Sequence, residues 1–208
     1  MPATGSKCLF RAGETQMTDP FWDDGYLIVE DMISPAQVAF VASAMDTQSR
    51  IGKMVPTQTR YVTGAEDQYS PVPAAILLKH CLPRIEQLVG KDLLVGYAYW
   101  RKYSHAAVLR SHVDRATCEI SVTVAIGTEP SGSIWPFHIE DLHGNRIAIA
   151  LSPGAGVIYQ GHRVKHWREP LQAEWHKQMF LHYVLKDGEF ADHVFDKNAG
   201  ERVRRIPV

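Results

Sequence analysis

A histidine and an aspartate separated by one valine, His112-Val113-Asp114, put an imidazole and a carboxylate on the same side of any extended segment. A second imidazole, His166, follows much later, in another stretch that reads as a strand. Two imidazoles and one carboxylate can cap one face of an octahedral Fe(II) ion and leave its remaining positions to other ligands. Those positions suit a bidentate oxo-acid and then dioxygen. The chain has ten histidines, so the triplet alone fits equally well a surface His-Val-Asp and a histidine packed beside Trp167. Context favours the metal: a strand follows from Cys118, and the turn Pro153-Gly154-Ala155-Gly156 precedes the second histidine.

The elements that must bring these residues together fall into two zones. Tyr26–Val29 is a short apolar run after the turn Asp24-Gly25 and reads as a strand. Ser34-Pro35-Ala36-Gln37 has the signature of a helix start, with Ser34 as cap, Pro35 in the first turn and Gln37 reaching back. Residues 50–72 lack periodicity and suit a loop or lid over a site. Leu78, Cys81, Leu82, Ile85 and Leu88 recur at helical spacing over 73–89, with Gly90 as the stop; Pro83 should break or kink this helix. From residue 93 the pattern changes to short alternating runs, placing strands at 95–103, 107–113, 118–126, 134–140, 146–151, 156–160, 164–168 and 176–185. Helices first and many strands afterwards imply a mainly β protein with flanking helices (α+β), an antiparallel sandwich or open barrel. One domain is expected: a loose arm over 1–20, helical support over 21–92, a β core over 93–186 and an extension over 187–208.

Composition narrows the function classes. A net charge of −1 with no Lys/Arg run beyond two residues argues against nucleic acid or an acidic membrane as partner. Cys8, Cys81 and Cys118 are scattered and odd in number, so no CxxC metal or redox pair is present, and free thiols fit a cytoplasmic location. No apolar run has the length of a membrane span.

Three groups of segments together resemble the Fe(II)/2-oxoglutarate-dependent oxygenases, in particular their prolyl-hydroxylase-like and phytanoyl-hydroxylase-like members. Phe21–Val29 with Ser34-Pro35 looks like their entry strand and first helix. Tyr99–Tyr103, Leu109–Arg115 and Cys118–Thr123 look like the iron-binding strands. Pro153–Tyr159, His166–Pro170 and Gln178–Val184 look like the closing strands. The resemblance implies a double-stranded β-helix (jelly-roll, cupin-like) core with the N-terminal helices packed outside. It implies Fe(II) on His112, Asp114 and His166, with 2-oxoglutarate and O2 consumed to give succinate, CO2 and a hydroxylated C–H bond; desaturation or ring closure stays open.

The family holds the distal carboxylate of 2-oxoglutarate with a cation on the last barrel strand. Here that register carries His176, with Lys177 beside it, a departure from the pattern. Strand parity offers Arg168 instead, which faces inward if His166 does; its fixed charge and planar fork suit a carboxylate. His176 would assist, and Lys177 faces in only if the register slips by one. Tyr103 sits where relatives place a tyrosine that hydrogen-bonds the co-substrate; the alternative is a strand aromatic. Arg115 and Glu119 either bracket a polar substrate or form a salt bridge. Trp135 and His138 are candidate substrate contacts at the mouth, against plain burial for the tryptophan. A small molecule, amino acid or peptide is the expected substrate, with oligomeric state open. Two rivals remain: a cupin-like metalloenzyme that uses no 2-oxoglutarate, kept alive by His176, and a non-catalytic binding or sensing domain of the same fold.

Overall fold

The computed structural model describes residues 20–196. The expected N-terminal arm, apart from Pro20, and residues 197–208 of the expected extension lie outside that range. The chain enters through a short helix, α1 (Pro20–Asp24), and turns at Gly25 into strand β1 (Tyr26–Val29). Gly25 has φ +87°, and a Cβ there would meet Val164 Cγ1 at 2.7 Å, so both conformation and space require glycine. Helix α2 (Pro35–Arg50) opens with the expected capping box: Ser34 Oγ accepts the Gln37 N–H, and Gln37 Oε1 accepts the Ser34 N–H. Residues 50–72 correct the loop expectation, because two strands, β2 (Val55–Pro56) and β3 (Val62–Tyr69), form there. Only Val62 of β3 is buried and its other residues are half-buried or exposed along the next strand, so it has no apolar alternation to read.

Helix α3 (Val72–Val89) runs unbroken through Pro83, against the expected break. The reason is position. Cys81 and Ile85 face the core, whereas Pro83 and Lys79, whose carbonyl loses its partner, are exposed and solvated. The left-handed Gly90 ends the helix as expected.

The β region has the strand order β1-β8-β5-β10-β4-β9-β6-β7, every pairing antiparallel, with β3 and β2 added beside β4. Its remaining strands are β4 (Leu93–His112), β5 (Ile120–Glu129), β6 (Phe137–Glu140), β7 (Arg146–Ile149), β8 (Gly156–Tyr159), β9 (Lys165–Arg168) and β10 (Trp175–Leu185). This curled sheet is the double-stranded β-helix. The two strands expected at 95–103 and 107–113 are one, β4. Its first half pairs with β10 as far as Ser104, and its second half pairs with β9 from Leu109. Between them Ala106 has φ +62°, and Leu171 is tied to both Ala106 and Ala107 by backbone hydrogen bonds. The bend lets one strand serve both sheets and carries its end over the barrel.

Strand β10 is buried on both faces. Met179, Leu181 and Tyr183 join Phe21, Met45, Leu78 and Ile85 in the core under the helices. His176, Gln178, Phe180 and His182 therefore point into the barrel, and Lys177 points outward, as parity requires. Cys81 and Cys118 are free and buried. Among the described residues no helix is long and apolar enough to cross a membrane.

Pro83→Ala should stabilise the protein by about 1–2 kcal/mol. The restored helical hydrogen bond and propensity outweigh the lost rigidity of the unfolded chain. Urea unfolding checks this, and an unchanged or lower midpoint would contradict it.

Candidate metal centre

His112 is the last residue of β4, and Asp114 stands just past the strand end rather than within it. The Asp114 N–H donates to Gly161 O at 2.8 Å, which keeps the carboxylate on the same side as His112. His166 on β9 pairs in register with His112. Asp114 Oδ1 lies 3.7 Å from His112 Nε2 and 3.6 Å from His166 Nε2. The three side chains form a group whose ligand atoms all lie within 4.8 Å of one another.

The protons of this group are set by its backbone contacts. His112 Nδ1 lies 2.8 Å from Arg110 O, and His166 Nδ1 lies 3.2 Å from Val164 O. A carbonyl only accepts, so each Nδ1 carries the hydrogen and each Nε2 keeps its lone pair. Burial holds His166 neutral, pushing its pKa down to about 4. Burial and the neighbouring His166 lower His112 too, against the pull of Asp114. Two lone pairs and a carboxylate oxygen thus face one another with no proton among them. A divalent cation complements that arrangement, and the N2O donor set fits Fe(II) without thiolate.

Asp114 is braced from behind. Ser121 Oγ donates to its Oδ2 at 3.2 Å and lies 3.0 Å from His182 Nδ1. A Cβ on Gly161 would fall 2.4 Å from Asp114 Oδ2 and 2.3 Å from Ser121 Oγ. Asp114, Cys118 and His182 form a second group with ligand-like spacing. Burial pushes the Cys118 thiol up to about 12, so it stays protonated and is the poorer ligand. Tyr61 stacks on His112 with centroids 4.7 Å apart, and Tyr159 meets His166 edge-on at 4.9 Å.

A narrow cleft runs inward from His112, Asp114 and His166, lined by Tyr99, Arg101, Leu109, Phe137, Tyr159, Phe180 and Arg168. Arg168 is 2% exposed. It donates to the Trp135 carbonyl and, at 3.2 Å, to Gln178 Oε1. Burial lowers its pKa to about 10, so it remains a cation. No carboxylate pairs with it among the described residues, and a buried cation held only by neutral acceptors is costly.

The other expected co-substrate residues take different places. His176 is saturated by Thr128 Oγ1 at 2.8 Å and Gln178 Oε1 at 2.5 Å. Burial and Arg168 push its pKa down to about 3, so it lends no charge to a carboxylate. Lys177 faces outward to Asp46 on α2 at 2.6 Å. Tyr103 is fully buried outside the cleft, edge-on to Trp135 at 4.9 Å.

The cleft opens into an outer pocket of about 580 Å³ walled by Tyr61, Tyr69, Tyr97, Tyr99, Asp67, Arg101 and Arg115, with His112 and Asp114 at its base. Of the four expected substrate contacts only Arg115 lines it, its guanidinium 4.3 Å from the Tyr97 ring centre. Glu119 instead accepts the Leu185 N–H at 2.8 Å. Trp135 is buried, donating to Glu169 O, and His138 stacks on Trp167; neither reaches the pocket. The sequence reading missed Gly161, Asp67 and the tyrosine wall. The β3–β4 pairing that assembles the wall was not visible, although the alternating Tyr97, Tyr99, Arg101 signals one shared face.

No family model matches this sequence, and no curated protein matches it. Solved structures do. A prolyl-4-hydroxylase from Pseudomonas putida superposes with a TM-score of 0.62 at 16% identity, covering 79% of this chain and 95% of that one. The non-heme alpha-ketoglutarate-dependent carbocyclase SnoK of nogalamycin biosynthesis gives a TM-score of 0.66 at 13% identity over 93% and 92% of the two chains. HygX from Streptomyces hygroscopicus, solved with nickel, 2-oxoglutarate and hygromycin B bound, gives 0.62 at 11% identity over 80% and 85%. The fold is therefore that of the Fe(II)/2-oxoglutarate oxygenases.

Gly161→Ala should leave the circular dichroism spectrum native but weaken metal binding by about tenfold or more, because the new methyl displaces the Asp114 carboxylate. Mn(II) titration followed by electron paramagnetic resonance reads this, and wild-type affinity would refute the assignment of Asp114. A second expectation concerns pH. Burial pushes His166, His176 and His182 down to about 4, 3 and 4, from the ordinary imidazole value of 6.5. Below pH 6.5 the unfolded chain takes up these protons first, so stability is full above that pH and falls as pH drops toward 4. In metal-free protein the slope approaches about 4 kcal/mol per pH unit from the three groups. Urea unfolding at pH 7 and pH 5 should show the loss, and equal stabilities would contradict the neutral buried imidazoles.

Proposed function

We propose that this protein is an Fe(II)- and 2-oxoglutarate-dependent dioxygenase that hydroxylates a C–H bond of a small molecule, amino acid or peptide, releasing succinate and CO2. The observation that carries the reading is the convergence of two deprotonated Nε2 atoms and one carboxylate oxygen beside a cleft ending in an unbalanced buried cation. His112, Asp114 and His166 would hold the iron. Bound iron would supply the activation of dioxygen, coupled to oxidative decarboxylation of the oxo-acid.

The chain's own residues do the rest. Arg168 would take the distal carboxylate of 2-oxoglutarate, exchanging its neutral acceptors for a charge-assisted pair. Gln178, whose amide donates to Thr123 Oγ1 at 2.6 Å, holds Arg168 in line. Leu109, Phe137 and Phe180 keep the cleft poor in water, which strengthens each charge inside it. Ser121 fixes the orientation of Asp114. A carboxylate ligand favours hydroxylation, since the halogenating relatives lack one. The structural neighbours include a hydroxylase and a carbocyclase, so product analysis decides the outcome. The cupin-like alternative without 2-oxoglutarate drew on His176 as the missing anchor, and Arg168 supplies a better one.

Anaerobic addition of Fe(II) and then 2-oxoglutarate should produce the weak visible charge-transfer band of a bidentate oxo-acid complex. Arg168→Gln should weaken 2-oxoglutarate binding by about 30-fold or more, and Lys177→Met by less than about threefold. No band in the wild type would end the reading, and the reverse order of the two variants would reassign the anchor.

A further inference from the structure

The outer pocket contains a polar group that the metal and co-substrate leave unused. Arg101, on β4, lines both the deep cleft and the outer pocket and is 7% exposed. One terminal nitrogen donates to Asp67 Oδ2 at 3.0 Å, and the other lies 3.4 Å from the Tyr103 hydroxyl. Its Nε has no hydrogen-bond partner among the described residues. A buried N–H left without an acceptor costs about 1–3 kcal/mol, and a charged one more, so the site calls for an acceptor there.

The guanidinium is held ready for one. Asp67 is steadied by Thr57 Oγ1 at 3.0 Å, and the Tyr99 and Phe180 ring centres lie 5.2 and 5.7 Å from the Arg101 guanidinium carbon. Beyond Arg101 the wall is a ladder of stacked rings, Tyr69 on Tyr97 at 5.3 Å and Tyr97 on Tyr99 at 6.2 Å. Arg101 and Arg115 offset Asp67 and Asp114, so a divalent ion at the base leaves the pocket net positive. The cavity thus offers a cation at its inner edge and a flat apolar face above the metal.

We propose that the primary substrate is a small carboxylic acid with a planar or apolar body, its carboxylate seated on Arg101 and its body against the tyrosine ladder. The proposal rests on the oxygenase reading above. The two arginines divide the work by position. Arg168 lines the cleft but not the outer pocket and has no acidic partner, so it suits the co-substrate; Arg101 reaches the pocket where a second molecule enters.

The test uses the full chain loaded with Mn(II) and saturated with 2-oxoglutarate. The probes are 3-phenylpropionate and its primary amide, and metal-induced broadening of their proton resonances reads binding near the ion. The acid should bind about 10- to 100-fold tighter than the amide, the worth of one charge-assisted contact. Arg101→Gln alone strands Asp67, so the neutral pair Arg101→Gln/Asp67→Asn is used beside it. In that pair the preference for the acid should vanish while 2-oxoglutarate affinity stays within about threefold. Equal broadening of acid and amide, broadening of neither, or a preference that survives in the neutral pair would overturn the proposal. A tenfold loss of 2-oxoglutarate affinity in the pair would also overturn it, by moving Arg101 into the co-substrate site. Failure of wild-type protein to bind 2-oxoglutarate would instead count against the oxygenase reading itself.

Discussion

The arrangement on which the site depends is a cluster of acceptors with no donor between them. His112 and His166 each spend their one hydrogen on a backbone carbonyl two residues back, which turns both Nε2 lone pairs toward the same carboxylate oxygen. Burial keeps them from protonating. Left to itself such a cluster repels, and the fold must hold it closed by other means. The bend at Ala106, the in-register pairing of His112 with His166 and the Gly161 carbonyl under the Asp114 N–H are those means.

Charge in the barrel interior follows from strand parity. β9 turns Arg168 inward beside His166, whereas β10 turns Lys177 outward to Asp46 and leaves His176 facing in. A one-residue slip in β10 would exchange a neutral imidazole for an ammonium inside the cavity. Register, held by the pairing of Lys177 with Lys102 on one side and Gly127 on the other, therefore decides which cation the cleft possesses.

Much of this was legible in the chain. The candidate group of His112, Asp114 and His166, the inward Arg168 and the outward Lys177 follow from period-two alternation and residue chemistry, because those rules act over a few residues. The capping box at Ser34 was legible for the same reason. Four features were not. β3 shows no alternation because all its residues but Val62 are half-buried or exposed, so the wall it builds with β4 was read as loop. Pro83 looked disruptive because the helix pattern does not reveal that the orphaned Lys79 carbonyl meets solvent. Trp135 and His138 were expected at the mouth from their strand, and Glu119 beside Arg115, but tertiary pairing gave each another partner. Gly161 carried no motif; its importance lies in the 2.4 Å that separates an imagined methyl from Asp114.

The interior polar groups also argue about purpose. Thr128, His176, Gln178, Thr123 and Arg168 form a connected ladder in which nearly every hydrogen finds an acceptor. An apolar core would stabilise the barrel at least as well, and a buried polar network is costly wherever one member is left unpaired. Outside this ladder, Arg101 Nε and His182 Nε2 are buried beside the candidate metal centre with no hydrogen-bond partner among the described residues. Arg168 has neutral acceptors for two of its hydrogens and no carboxylate partner among the described residues. Arg101 and Arg168 both line the cleft beside His112, Asp114 and His166, so the residual electrostatic demand there is for an anion. A purely structural β-barrel gains nothing from carrying that pattern.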